Sequence, residues 1–345
     1  MPTLQSQFIK FHDTIKLDVD DNKVLIDKRK EVEEIINNGV SEFGKCFFNQ
    51  GSYSTYTGIL PIDEGDYDLD RGLKIDVDRH SNSPKEVKKF IFDALVSEFG
   101  ENRVKVKNPC VTVSFPEDNV HIDIAVYCTE SDNYFLARGK LNSIDENIKW
   151  EEADPIELTK KINNAMENSE DRNQFRRVIR YLKRWKDLKF KNQDNRPTGI
   201  GISVFAVSNF SVSKKVDYLS GNTTYDDISA LRNLVNTMIN SFSDTYDVDR
   251  NLFYPRLEVY LPVKPYTDIY ERVSNIQMEA FKNKLEKLRD SLDEAINSTD
   301  LSESTKVLSK QFGDDFPIIE QKETAENFGT RAIISDYPSA YRRLC

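Results

Sequence analysis

The strongest constraint on this chain is a short turn, Gln50-Gly51-Ser52-Tyr53, followed sixteen residues after the serine by Asp68-Leu69-Asp70. In an extended strand alternate side chains share a face, so Asp68 and Asp70 project together while Leu69 points away. Two carboxylates on one face suit hard divalent cations, and paired magnesium ions are a recurring device in phosphoryl chemistry. The small Gly51-Ser52 pair lets backbone approach a phosphate and offers an N–H and a hydroxyl as donors. The pattern predicts a turn and a strand built around a metal-bound triphosphate.

The acidic run Asp63, Glu64, Asp66, Asp68, Asp70 also reads as a solvated surface, the usual fate of such runs. A calcium-binding helix–loop–helix would place Asp66, Asp68 and Asp70 at loop positions 1, 3 and 5. It fails at position 6, where Arg71 replaces the glycine, and at position 12, where Val77 replaces the glutamate. A third carboxylate, Asp123, favours a site. Val120, Ile122, Ile124 and Val126 alternate along a strand, with Asp123 and His121 on the opposite face. Val111, Val113 and Phe115 alternate before it, and Pro116-Glu117-Asp118-Asn119 makes a four-residue hairpin loop. Alone, Asp123 reads equally well as a solvent-facing aspartate. With Asp68 and Asp70 it completes a set able to bind two magnesium ions.

From Arg172 to Lys191 there are nine Lys or Arg against one acid, Asp187. Phe175, Val178, Ile179, Leu182 and Trp185 recur at helical spacing. At ~100° per residue Lys186 falls inside that apolar stripe and Lys183 on its border. An inward-facing lysine needs an anionic partner, because an unpaired buried charge is costly. A triphosphate would serve; so would a protein carboxylate, or snorkelling of the ammonium to water.

At 345 residues the chain has room for one large or two ordinary domains, and 38% hydrophobic residues supply a core. The net charge of −10 argues against general binding of long nucleic acid. No stretch approaches the ~18–20 apolar residues of a membrane span. The N-terminus lacks the pattern of a signal peptide. Cys46, Cys110, Cys128 and Cys345 form no C-x-x-C pair, so they read as reduced thiols of a cytoplasmic protein. Three histidines leave little material for hydrolase dyads, and Gly199-x-Gly201 lacks the rest of a dinucleotide fingerprint.

Periodicity predicts helix over 3–38 and 84–100, and strands over 43–49, 67–78, 103–107, 110–115 and 120–127. Later segments, 156–168, 172–190, 200–211, 226–242 and 268–297, are all helical in pattern. The expected fold class is α+β: a nucleotidyltransferase-type lobe with a mixed sheet over 1–155, a helical lobe over 156–320, and a flexible tail over 321–345.

The chain resembles the cGAS/DncV-like nucleotidyltransferases, the bacterial CD-NTases that make cyclic oligonucleotide signals in anti-phage defence. The resemblance is carried by Gln50-Gly51-Ser52-Tyr53, Asp68-Leu69-Asp70, His121-Ile122-Asp123, Tyr181-Leu182-Lys183-Arg184-Trp185-Lys186-Asp187 and Pro197-Thr198-Gly199-Ile200-Gly201-Ile202-Ser203. It covers about residues 40 to 210, and more loosely 255 to 295 through Leu261-Pro262-Val263 and Asp268-Ile269-Tyr270-Glu271-Arg272. It implies a polymerase-β-like catalytic lobe, with an N-terminal helix that packs on the second lobe. Asp68, Asp70 and Asp123 would hold magnesium, or manganese in its place. Gly51, Ser52, Lys183 and Ser203 would hold the triphosphate, with Lys186 as alternate. Gln50 and Asp268 are the candidates for contacts to nucleotide and base. ATP or other nucleoside triphosphates would be substrates, and a downstream effector would answer to the cyclic product. Some such enzymes are also conjugated to other proteins through the C-terminal carboxylate. Two other readings stand beside this one: an enzyme extending RNA or modifying protein, and a non-catalytic nucleotide-binding scaffold.

Overall fold

The computed structural model describes residues 4–18, 22–63, 65–144, 147–191, 196–217, 219–248 and 250–320. The tail expected over 321–345 lies outside these residues.

The N-terminal helical pattern resolves into two helices, α1 (Gln5–Ile15) and α2 (Lys23–Gly39). They part because Lys16 leaves the helix in an extended conformation and Asn22 caps the next one through its side chain. The central sheet holds β1 (Lys45–Asn49), β2 (Tyr67–Ile75), β3 (Val104–Val106), β4 (Val111–Phe115), β5 (Val120–Glu130), β6 (Asn133–Arg138) and β7 (Lys149–Ala153). Its order is β1-β2-β5-β4-β3, with β6 pairing the far end of β5 and β7 pairing β6. β2 and β5 run parallel and every other pairing is antiparallel, so the sheet is mixed.

A one-turn helix, α3 (Gly51–Ser54), follows β1, and the sheet is covered by α2 and by α4 (Pro84–Phe99). The latter starts at a capping box between Ser83 and Glu86, with Pro84 in its first turn, and stops at Gly100. Leu69, Leu73, Ile122, Ile124 and Val126 pack there against Val32, Ile36, Val87, Ile91 and Leu95. Burying each such side chain contributes roughly 1.5–3 kcal/mol, so this apolar face fixes which side of β2 and β5 points outward. The outward side carries the carboxylates. The hairpin of β4 and β5 has its four-residue loop at 116–119, as the alternation predicts.

A second core gathers α5 (Pro155–Asn163), α6 (Ser169–Lys189), α7 (Gly199–Asn209), α8 (Asp227–Asn240), α9 (Asn275–Asn297) and α10 (Leu301–Phe312). α1 belongs to this core, not to the sheet. Phe8 and Phe11 meet Tyr181 at ring-centroid distances of 5.2 and 5.4 Å, and Tyr181 Oη donates to the Phe8 carbonyl at 2.8 Å. Two hairpins interrupt the helices, β8 (Lys214–Val216) with β9 (Thr223–Tyr225) and β10 (Ser243–Asp247) with β11 (Leu252–Arg256). The helix expected from residue 268 begins only at Asn275, because Ser274 caps it and Asp268 holds a turn instead. α10 and the sheet extension β6–β7 lie outside the sequence expectation.

Candidate active site

Asp68 and Asp70 leave β2 on one face, and the register sets Asp70 opposite Asp123 and Asp68 opposite His121 on β5. A parallel pair of strands thus brings together three carboxylates from two distant segments. Gly51 sits against them with φ of 66°. A Cβ there would lie 1.9 Å from Asp70 Oδ2, so only glycine lets the turn approach this carboxylate. Burial, then Asp123 and Asp68, push the Asp70 carboxyl up to about 6. Asp68 is raised as well, by the desolvating walls of the cleft and then by Asp123. Its side chain is nevertheless 73% exposed, so water screens much of that effect.

Asp123 has neutral partners and one cation. Thr112 Oγ1 donates to its Oδ1 at 2.6 Å, and Cys110 Sγ lies 3.4 Å from Oδ2. Lys107 Nζ is 3.4 Å from both oxygens. His121 faces Asp66 at 3.2 Å and Asp68 at 3.8 Å. Among the described residues no three His, Cys, Asp or Glu side chains are gathered at ligating distance as they stand. The bonds to Thr112 and Lys107 account for the position of Asp123.

Across the cleft, α6 contributes the two lysines singled out by periodicity, and both are buried. Lys183 Nζ donates to the Thr57 carbonyl at 3.0 Å and to Thr57 Oγ1 at 2.9 Å. Burial lowers its pKa to about 7, helped by Arg180 and Lys186. Lys186 bonds its neighbour Asp187. Gly51, Ser52, Asp68, Asp70, Lys183, Lys186 and Ser203 all line one cavity of about 720 Å³. Ser203 Oγ donates within α7 to the Gly199 carbonyl at 3.0 Å.

A second cavity, of about 770 Å³, meets the first at Gly51, Thr55, Asp70 and Ile200. Gln50 and Asp268 line it. Gln50 Oε1 accepts from Tyr127 Oη at 3.0 Å. Asp268 is engaged within its own loop: Oδ1 accepts from the backbone N–H of Val259 and of Tyr270, both at 2.9 Å, and Oδ2 is 3.5 Å from Arg256. The structure gives that carboxylate a loop-holding task. Thr57, Lys107, Thr112, Tyr127 and Arg196, the last a lining residue of the first cavity, were not legible as site residues. Thr57 could have been noticed only as another small polar residue after the glycine turn, and the others carry no local pattern.

The match to known proteins falls on the same segments. The family described as "Cyclic GMP-AMP synthase DncV-like, nucleotidyltransferase domain" matches residues 45–127, from the start of β1 through Asp123. Residues 45–127 form a DncV-like nucleotidyltransferase domain. A cyclic GMP-AMP synthase of Escherichia albertii is 29% identical over 177 residues, which is 48% of this chain and 38% of that relative. Among solved structures, CdnC of E. coli MS115-1 with ATP has a TM-score of 0.63 at 17% identity, over 90% of this chain and 98% of that one. The Bradyrhizobium diazoefficiens CD-NTase CdnG in complex with GTP has a TM-score of 0.68 at 14% identity, over 91% and 96%. At such identities the likeness is one of fold, and it extends over both cores of the present chain.

The DncV-like domain offers a donor set suited to a hard divalent cation, since its candidate ligands are all carboxylate oxygens. The upward shift of Asp70, from burial first and then from Asp123 and Asp68, marks negative charge that Lys183 and Lys107 offset only in part. The close seat of Gly51 on Asp70 leaves no side chain in the way. Among the described residues no helix is long and apolar enough to cross a membrane.

Proposed function

We propose that this chain is a magnesium-dependent nucleotidyltransferase that joins nucleoside triphosphates into a cyclic di- or trinucleotide, releasing pyrophosphate, as a signal in anti-phage defence. The observation that carries the reading is the position of Asp70 where two cavities meet, one walled by Gly51, Ser52, Lys183 and Ser203 and the other of about 770 Å³, room for a second nucleotide. The ATP and GTP bound in those two related structures fit such substrates.

Asp68, Asp70 and Asp123 would be the residues that hold the divalent cations. Bound there, magnesium supplies charge neutralisation at the phosphates and lowers the pKa of the attacking ribose hydroxyl. Gly51 N–H and Ser52 Oγ would contact the β- and γ-phosphates. Lys183 would face them from α6, with Lys186 as alternate, and Ser203 would turn its hydroxyl from Gly199 to the phosphate chain. Asp123 would take the ribose proton. Such a reaction is catalysed mostly by positioning and electrostatics, which a cleft between two rigid cores supplies. The linear intermediate then turns round and its free hydroxyl attacks its own triphosphate end. An effector that binds the ring would be the downstream partner. A protein conjugated at the C-terminus would be a further one; it concerns residues outside those described.

The test is incubation of the full chain with all four triphosphates and magnesium or manganese, followed by mass spectrometry. The expected product is a nuclease-sensitive ring lacking terminal phosphates. A ladder of linear products, or unchanged triphosphates, would overturn the proposal.

A further inference from the structure

The turn beside Asp123 is tied down by a buried charge without a carboxylate partner. Lys88 on α4 is 0% exposed, and its ammonium donates to three backbone carbonyls: Lys107 at 2.7 Å, Asn108 at 2.9 Å and Gly139 at 2.7 Å. Burying an ammonium is costly, and the three carbonyls offset part of the cost. What they fix is the backbone of Lys107, whose own N–H is bound to the Cys110 carbonyl at 2.9 Å.

The side chain of Lys107 is held in a different way. It is 45% exposed, and its Nζ stands 3.4 Å from each Asp123 oxygen. Tight ammonium–carboxylate bonds are ~2.7–2.9 Å, so this is a loose fork across both oxygens, held by charge and cheap to displace. The other groups on Asp123, Thr112 and Cys110, are uncharged and leave its negative charge to Lys107. Strand register puts Asp70 directly beside it, so a cation reaching both carboxylates must compete with that ammonium.

We propose that Lys107 is the stand-in counter-ion of Asp123 in the metal-free protein and yields it to a divalent cation. This rests on the reading of Asp68, Asp70 and Asp123 as a metal set. Because Lys88 anchors the backbone, only the Lys107 side chain has to move. The exchange weakens binding of a bare cation, and a triphosphate that brings its own oxygen ligands relieves that handicap.

The experiment titrates Mn²⁺ alone, without nucleotide, into the full chain, and follows free Mn²⁺ by electron paramagnetic resonance. Lys107→Met should bind Mn²⁺ roughly three- to fivefold more tightly than the unsubstituted chain, the scale of one part-exposed charge pair. Lys107→Arg, which keeps a cation, should stay within about twofold of the unsubstituted chain. In an Asp123→Asn background, Lys107→Met should change the affinity little, because the partner charge is gone. Equal or weaker binding in Lys107→Met overturns the inference, as does an equal gain in the Asp123→Asn background. Binding by the unsubstituted chain with no response to Lys107 overturns this inference alone. No Mn²⁺ uptake by any of the proteins overturns the metal reading with it.

Discussion

Asp227 and Asp70 are both carboxylates withdrawn from bulk water, and they keep opposite company. Asp227 opens α8 in the helical core, where Arg177 grips it with bonds of 2.7 and 2.9 Å. Gln174 and Tyr181 add bonds at 3.1 and 3.0 Å. Burial works against that carboxylate, but these partners hold it below the usual range. Asp70 is pushed up to about 6 by burial and then by its two carboxylate neighbours, Asp123 and Asp68, with Lys183 and Lys107 only partly offsetting them. The first arrangement closes its charges and holds the fold. The second leaves charge open at the junction of two cavities, which costs stability and suits a ligand that brings the missing charge.

The largest expected effect sets these two residues against each other. Asp70→Asn should cut pyrophosphate release about a thousandfold, since loss of metal-held stabilisation of ~4 kcal/mol corresponds to that rate. Its resistance to urea should be equal or higher, because like-charge repulsion is removed. Asp227→Asn should do the reverse, losing about 3–5 kcal/mol of stability by leaving Arg177 without its partner. The folded fraction should keep its turnover per molecule. Acid should tell the same story for Asp227. Its depressed pKa contributes stability that is present above the ordinary carboxylate value and lost as pH falls through the folded one. Urea unfolding below pH 4 should show a steep decline that Asp227→Asn lacks.

Gly51→Ala ranks next. The new methyl would collide with the Asp70 carboxylate and would require a positive φ. Displacing a reacting group by ~1 Å costs about a hundredfold, so turnover should fall by that order. Stability should fall by roughly 1 kcal/mol, from an alanine held at positive φ.

Lys183 gives a smaller effect with a definite sign. Its folded pKa is about 7, below the ordinary lysine value. Between the two values the unfolded chain holds a proton that the folded chain has shed, so stability of the nucleotide-free protein rises with pH across that window. A bound triphosphate favours the charged form. Calorimetry of a non-hydrolysable triphosphate near pH 8, in buffers of different ionisation enthalpy, should therefore show proton uptake. Lys183→Met should abolish it and weaken affinity by about tenfold, the scale of one charge-assisted contact. Lys186→Met should cost only about two- to threefold, because Lys186 has Asp187 beside it. An equal loss from the two variants would erase the distinction between a paired lysine and an unpaired one.

The parts legible in sequence were those written by local periodicity. The strict alternation from Val120 to Val126 fixed both the hairpin and the outward face of Asp123, and Gly51-Ser52 announced its own turn. Lys183 and Lys186 could be placed on an inward helix face, yet their partners could not be separated. Thr57, which holds Lys183, lies 126 residues away in the chain. Asp123 could be grouped with Asp70, but its bonds to Thr112 and Lys107 depend on how a clamped turn presents them. β6 and β7 escaped because their side chains are mostly half-buried on both faces, which leaves no clean two-residue alternation. The helical pattern around Asp268 misled only as to the start of the helix, since those residues form a turn that its carboxylate holds together at the wall of the second cavity.

The most direct test of the open cleft is a crystal structure of the full chain with magnesium and a non-hydrolysable nucleoside triphosphate. The account predicts magnesium on Asp68 and Asp70, with the triphosphate between Gly51-Ser52 and Lys183. A nucleotide seated elsewhere, with these carboxylates free of metal, would contradict it.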